Sequence, residues 1–223
     1  MGFSERLSLE DTDAETLFRK FWPALAVVAS FGIGLWLRYR PEKDMEYLQA
    51  LDPYMIFSMS QHLALSGNLP QVNFLRYFPY PGPTYTLNLG DIFIPAYLYK
   101  IGPQYFMNYL EWAQFYPALM GGLSIVMAYF FGKEVWDKYA GVSASFFLAV
   151  IAGAMHRTSA GFFEKEPIGT FLMMTTLYFF VRAWKREERI SGIVSGLALG
   201  FFSVSWGGSR MIWLLYPLTV GTL

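Results

Sequence analysis

The chain has 223 residues, 54% of them hydrophobic, 19% aromatic and only 15% charged, whereas soluble domains carry about a quarter charged residues; this balance points to a protein with several membrane-crossing helices. Its 17 basic and 17 acidic residues cancel, and no basic patch interleaves with aromatics, so no nucleic-acid partner is expected. Without cysteine, disulfides, thiolate zinc sites and thiol nucleophiles are excluded.

Residues 1–20 are acidic and amphipathic, with Leu7, Leu9, Leu17 and Phe18 at loosely helical intervals. They read as a short cytoplasmic interfacial helix, not as a secretory leader, because no small-residue cleavage site follows. Phe21 to Leu37 is uncharged for 17 residues, enough to cross a hydrocarbon core of about 30 Å. Arg38-Tyr39-Arg40 then begins a long first outer loop, residues 38–111, rich in proline and aromatics and read as structured. Within it, Asp52-Pro53 predicts a helix start, with aspartate as N-cap and proline at the first helical position. Gly67-Asn68 suits the stop.

Further spans are predicted at about 112–132, 139–155, 167–183, 190–206 and 211–223, six in all with 21–37. One set of connections holds Arg6, Arg19, Lys20, Lys133, Lys138, Arg182, Lys185, Arg186 and Arg189; the other holds Arg157, Lys165, Arg210 and the long loop's few cations. Positive charge in short loops sets orientation, so the N-terminus is expected in the cytoplasm. The long loop, the charged stretch His156–Pro167 and the Ser205-Trp206-Gly207-Gly208 turn then share the outer face.

That charged stretch separates two uncharged runs. Glu164 and Glu166 stand at the mouth of a helix whose first residue is read as Pro167, where the positive end of the dipole favours carboxylates. With Asp52, on the same face, they could hold a hard divalent cation; equally, all three suit ordinary solvated helix ends. Arg157 could grip a phosphate or snorkel at the headgroup level. His62 and His156 are lone histidines without ligand spacing, and read as packing residues.

The residues together resemble a family. Arg157-Thr158-Ser159-Ala160-Gly161-Phe162-Phe163-Glu164-Lys165-Glu166 is similar to the Ser-Arg-(Ser/Thr)-x-Ala-Gly-x-x-Asp-x-(Glu/Asp) stretch of oligosaccharyltransferase catalytic subunits, those of archaea above all. Asp52-Pro53-Tyr54 resembles the family's Asp-Pro-Tyr in the first outer loop, and Ser205-Trp206-Gly207-Gly208 its Trp-Gly-Gly turn. The resemblance implies an all-α polytopic transmembrane fold, the membrane domain of a C-type glycosyltransferase, in a multi-pass protein of the archaeal cell membrane (or the endoplasmic reticulum membrane in a eukaryote). It also implies transfer of a glycan from a dolichol-linked phosphate or pyrophosphate to the asparagine of Asn-x-Ser/Thr. Mn²⁺ or Mg²⁺ would be held by Asp52, Glu164 and Glu166, and Arg157 would sit near the metal and the donor phosphate. The implied partners are a dolichol-linked oligosaccharide, an acceptor polypeptide and membrane lipid.

The chain departs from the family in places. Glu164 stands where aspartate is usual, so its carboxylate reaches one methylene further. Met55-Ile56-Phe57-Ser58 replaces a common Tyr-His-Tyr-Arg. The family's later acidic loop and its Trp-Trp-Asp-Tyr-Gly motif lie outside these residues, so the chain is expected to be an amino-terminal portion, inactive alone. Two alternatives are another polyprenyl-phosphate-sugar transferase and a non-catalytic component of a glycosylation complex.

Overall fold

A computed structural model describes residues 3–40, 45–73, 79–80, 82–83 and 88–221, with side chains from residue 15 to 219 within those ranges. The helices are α1 (Phe3–Tyr39), α2 (Asp52–Ser66), α3 (Leu89–Ile101), α4 (Tyr109–Val135), α5 (Lys138–Val150), α6 (Ala152–Arg157), α7 (Lys165–Arg186), α8 (Arg189–Ser205) and α9 (Ser209–Gly221). A short antiparallel pair, β1 (Val72–Asn73) and β2 (Gly82–Pro83), joins Val72 to Pro83 and Asn73 to Gly82.

Two helical segments, Glu15–Tyr39 and Tyr109–Val135, are long and apolar enough to cross a membrane. The expected separation of an interfacial helix from the first span does not occur, because α1 runs unbroken from Phe3 to Tyr39. No glycine or proline lies between Phe3 and Phe21 to end it, and Glu15 pairs with Arg19 one turn on at 2.7 Å. The long loop, read as structured, carries helices in its described residues. α2 ends as predicted, on Gly67 at φ 81° with its N–H on the carbonyl of Leu63; β1, β2 and α3 follow, and α3 was not foreseen.

α4 is the central helix, packing against α1, α5 and α7, while α7 packs on α8 and α1 on α5. α2 lies on α3, which reaches α8. The start of α4 is an aromatic face: Tyr109, Trp112 and Tyr116 are all buried. Trp112 donates from Nε1 to the carbonyl of Pro95 in α3 at 3.0 Å. Tyr116 meets the Phe163 ring edge-on, with centroids 5.5 Å apart.

The predicted span 139–155 is interrupted. α5 stops at Val150, Ile151 is extended at φ −67°, ψ 121°, and α6 begins at Ala152. A helical break orphans carbonyls that the next turn would have engaged. Here a buried guanidinium takes them: Arg38 donates to the carbonyls of Leu148 at 3.0 Å and Ala149 at 2.8 Å, to Gly34 at 2.9 Å, and through Nε to Thr158 Oγ1 at 2.7 Å. Gly121 of α4 leaves room for it, since a Cβ there would stand 2.8 Å from both Arg38 Nε and Thr158 Oγ1.

One end of the bundle is charged and clamped. Arg186 grips Glu134 through two bonds of 2.8 Å, and Lys185 donates to the carbonyls of Glu134 and Val135. Asp137 caps α5 by accepting from the N–H groups of Tyr139 and Ala140. Trp22 rests on Tyr139, which brings the first half of α1 to the same end. The 157–166 stretch, the parts of the long loop around Gln49, Asp52 and Gly90, and the 205–209 turn gather at the other.

Replacing Arg38 with Met removes four hydrogen bonds and leaves buried acceptors open, each costing about 1–3 kcal/mol. Arg38→Met is therefore expected to lower unfolding stability by about 3 kcal/mol or more, read as a lower denaturation midpoint in detergent with faster proteolysis near Ile151. Gly121→Ala should reproduce the loss in part.

Candidate functional site

The stretch after α6 is held from three sides by backbone hydrogen bonds. Ala160 donates its N–H to the carbonyl of Arg38 at 2.9 Å, and Gly161 to that of Gln114 at 2.8 Å. Gln49 donates from its backbone to the carbonyl of Gly161 and from Nε2 to that of Ala160, both at 3.0 Å. Gly161 sits at φ 81°, a left-handed conformation that favours glycine. This knitting places residue 49, and so Asp52 three residues later, beside the charged stretch.

Asp52 is exposed in the first turn of α2. Leu51, not Asp52, occupies the N-cap position, and makes no side-chain capping bond, so the predicted N-cap role of the aspartate gives way to a first-turn position. α7 likewise begins at Lys165, two residues before the predicted Pro167. Glu164 becomes its N-cap residue without capping an N–H through its side chain.

Glu164 is buried, and its Oε2 lies 3.7 Å from Lys165 Nζ. Burial pushes its carboxyl above the usual range; Glu166 and Asp52 add like-charge repulsion, which Lys165 opposes. Glu166 Oε1 lies 3.7 Å from Arg157 Nη1, while its Oε2 is buried with no hydrogen-bond partner among the described residues. Arg157 is half exposed, its guanidinium 5.3 Å from the centre of the Phe162 ring. His156 packs on that same ring.

A cavity of about 190 Å³ opens between the starts of α2, α3 and α7. Asp52, Asn88, Asp91, Glu164 and Lys165 form its polar wall, with Met55, Ile56 and Ile92 on the apolar side. The structure thus brings Asp52 and Glu164 together, with Glu166 and Arg157 adjacent on the charged stretch but outside the lining. Asp91 was missed by sequence reasoning. It is 3% exposed, and neither carboxylate oxygen has a hydrogen-bond partner among the described residues. Burial pushes it up to about 8, with Lys165 and the Asn88 amide opposing and Glu166 and Glu164 reinforcing the rise. The signal available was an acid opening an uncharged helical run, Ile92 to Tyr99, inside the long loop.

The Ser-Trp-Gly-Gly turn braces the same end. A Cβ on Gly169, in α7, would stand 2.5 Å from a ring carbon of Trp206, and one on Gly90 would stand 2.9 Å from the Ser205 backbone. The beginnings of α3 and α7 therefore meet the end of α8 at contact distance.

Hard oxygen donors with unpartnered buried atoms suit a divalent cation, and Arg157 suits a phosphate. Among the described residues no three His, Asp or Glu side chains converge closely enough to hold a metal as they stand. Glu164 and Glu166 lean instead on Lys165 and Arg157.

Comparison with known proteins gives a concordant result. Residues 24–223 match the family described as Oligosaccharyl transferase STT3, N-terminal. Dolichyl-phosphooligosaccharide-protein glycotransferase 1 of Pyrococcus furiosus is 27% identical over 195 residues, spanning 83% of this chain and 19% of its own length. The dolichyl-diphosphooligosaccharide–protein glycosyltransferase subunit STT3B of Arabidopsis thaliana is 35% identical over 95 residues, 43% of this chain and 13% of its own length. The archaeal oligosaccharyltransferase AglB of Archaeoglobus fulgidus, in complex with an inhibitory peptide and a dolichol-phosphate, shares the fold with a TM-score of 0.76 at 21% identity, over 87% of this chain and 25% of that one. The same A. fulgidus enzyme in complex with Zn and sulfate gives 0.73 at 22% identity, over 84% and 26%. The chain thus spans about a quarter or less of the length of these relatives.

Because the Gly90 contact is with backbone, it cannot yield by a rotamer change. Gly90→Ala is expected to part α3 from α8 and cost about 1–3 kcal/mol of stability, measured by thermal unfolding in detergent. Gly200→Ala, on the same α8 with open space around its Cβ position, is the control that should hold stability or raise it by up to about 1 kcal/mol.

Proposed function

The chain belongs to the oligosaccharyl transferase STT3 family, and on that basis we propose that it builds the metal-and-donor half of a protein N-glycosylation site. The substrates are a glycan on a dolichol-linked phosphate or pyrophosphate and the asparagine amide of an Asn-x-Ser/Thr acceptor. The observation that carries this reading is the meeting of Asp52 and Glu164 at one cavity, with Glu166 and Arg157 beside them on the family's charged stretch. The A. fulgidus relative, solved with a dolichol-phosphate in one complex and with Zn in another, supports the lipid-phosphate and metal parts.

Asp52, Glu164 and Glu166 would hold Mn²⁺ or Mg²⁺; the unpartnered Oε2 of Glu166 is an oxygen that fits this role. When bound, the ion supplies stabilisation of charge on the departing phosphate. Arg157 then hydrogen-bonds a phosphate oxygen with its planar fork. The carboxylates accept hydrogen bonds from the acceptor amide and orient its nitrogen. α1, α4, α5 with α6, α7, α8 and α9 cross the membrane, with the N-terminus in the cytoplasm and the site on the outer face, as the excess of cations at the opposite end supports.

The test is glycan transfer by the protein as its gene encodes it, given a dolichol-linked donor, a fluorescent Asn-x-Thr peptide and Mn²⁺. Asp52→Ala and Glu166→Ala should each reduce transfer about 10²-fold or more. Chelation should abolish transfer and Mn²⁺ or Mg²⁺ restore it. Full metal-dependent transfer in both variants defeats the reading and favours a non-catalytic component.

A further inference from the structure

We propose that Asp91 is a fourth carboxylate of the divalent-cation site, closing it from the α3 side; the inference rests on the metal reading above. Asp91 is almost fully buried and lies on the wall of the cavity that Asp52 and Glu164 share. Neither of its oxygens has a partner at hydrogen-bond geometry, and no ion pair reaches it, among the described residues; the Asn88 side chain, on the same wall, offsets only a small part of the cost of burial.

It is also fixed there. Gly90, on one side, lies against the Ser205 backbone. Ile92, on the other, is fully buried and accepts a hydrogen bond from Ser60 Oγ at 2.9 Å. The side chain is therefore held in the cavity by the backbone that carries it.

A carboxylate with no well-formed hydrogen bond or ion pair is costly to bury, and native proteins leave few such groups without a partner. A cation between α2, α3 and α7 supplies the missing partner for Asp91 and neutralises the repulsion among the acids around it. Hard divalent ions take about six or more oxygen ligands, so a ligand facing α7 from α3 adds to the set instead of competing with it. Lys165 is the alternative partner, but its ammonium group is engaged with Glu164, at 3.7 Å.

The experiment is a Mn²⁺ titration of the protein as its gene encodes it, purified and chelator-stripped in detergent, following loss of the free-ion paramagnetic signal, with thermal unfolding measured in parallel. Asp91→Asn should raise the Mn²⁺ Kd about tenfold or more and leave the metal-free Tm equal or higher, since without the ion the buried carboxyl makes no hydrogen bond that the amide would lose. Asp91→Ser, smaller and also uncharged, should do the same if the amide disturbs the cavity. A Kd within about twofold of the wild type's in these folded variants overturns the role of Asp91; if Asp52→Asn still weakens binding, the proposed function survives. No Mn²⁺ binding by the wild type overturns both. A fall in metal-free Tm with unchanged Kd assigns Asp91 to Lys165 instead.

Discussion

One guanidinium fixes the geometry on which the rest depends. Arg38, near the end of α1, reaches the last carbonyls of α5 and the hydroxyl of Thr158, while its own carbonyl receives the N–H of Ala160. It closes the broken helix and anchors the first residues of the charged stretch at once. Its planar fork carries several donors in fixed directions, which a lysine ammonium cannot reproduce. Through Gly161 and Gln49 the same knot sets where α2 begins, and hence where Asp52 lies. The acids come from segments more than a hundred residues apart, so nothing local could align them.

The acidic end combines a rigid frame with unsettled charges. α4 supplies the frame through Trp112 on Pro95 and Tyr116 on Phe163, and α8 adds Ser205 and Trp206 as stops against α3 and α7. Within that frame the carboxyls of Glu164 and Asp91 are raised by burial and by their acidic neighbours. Stiff backbone around mutually repelling side chains is the expected arrangement of a site completed by a positive ligand, because the cost of gathering the charges is met during folding.

Much of this was legible in the sequence, and the failures have physical causes. α4 was readable because an uncharged run of that length leaves few options, and the end of α2 because Gly67 supplies the left-handed residue that closes a helix. The Arg157–Glu166 stretch was found from its residue pattern. The start of α7 was misplaced because proline was assigned the first helical position, when it stands one position after Glu166 in the first turn. The join within α1 was lost because composition changes at residue 20 while helical propensity does not. Ile151 could not be found at all: α5 and α6 read as one apolar run, and the reason they part is a side chain more than a hundred residues earlier. Asp91 was hidden for the same reason, since only tertiary contacts with Ser205 and the starts of α2 and α7 turn an acid in a loop into a buried one.

The short α5 has a consequence for how a substrate would arrive. Its 13 residues rise about 20 Å at 1.5 Å per residue, well short of a hydrocarbon core of about 30 Å. In a bilayer, Ile151 would therefore lie below the headgroup plane, at a depth where carbonyls are satisfied by protein or left bare. With α5 crossing and the site on the outer face, as proposed above, the acidic cavity would sit at the floor of a notch in the membrane's outer edge, not on a platform above it. A ligand whose reactive phosphate is tethered to a buried tail would meet the site sideways, from within the lipid, while a peptide would have to descend to it from water.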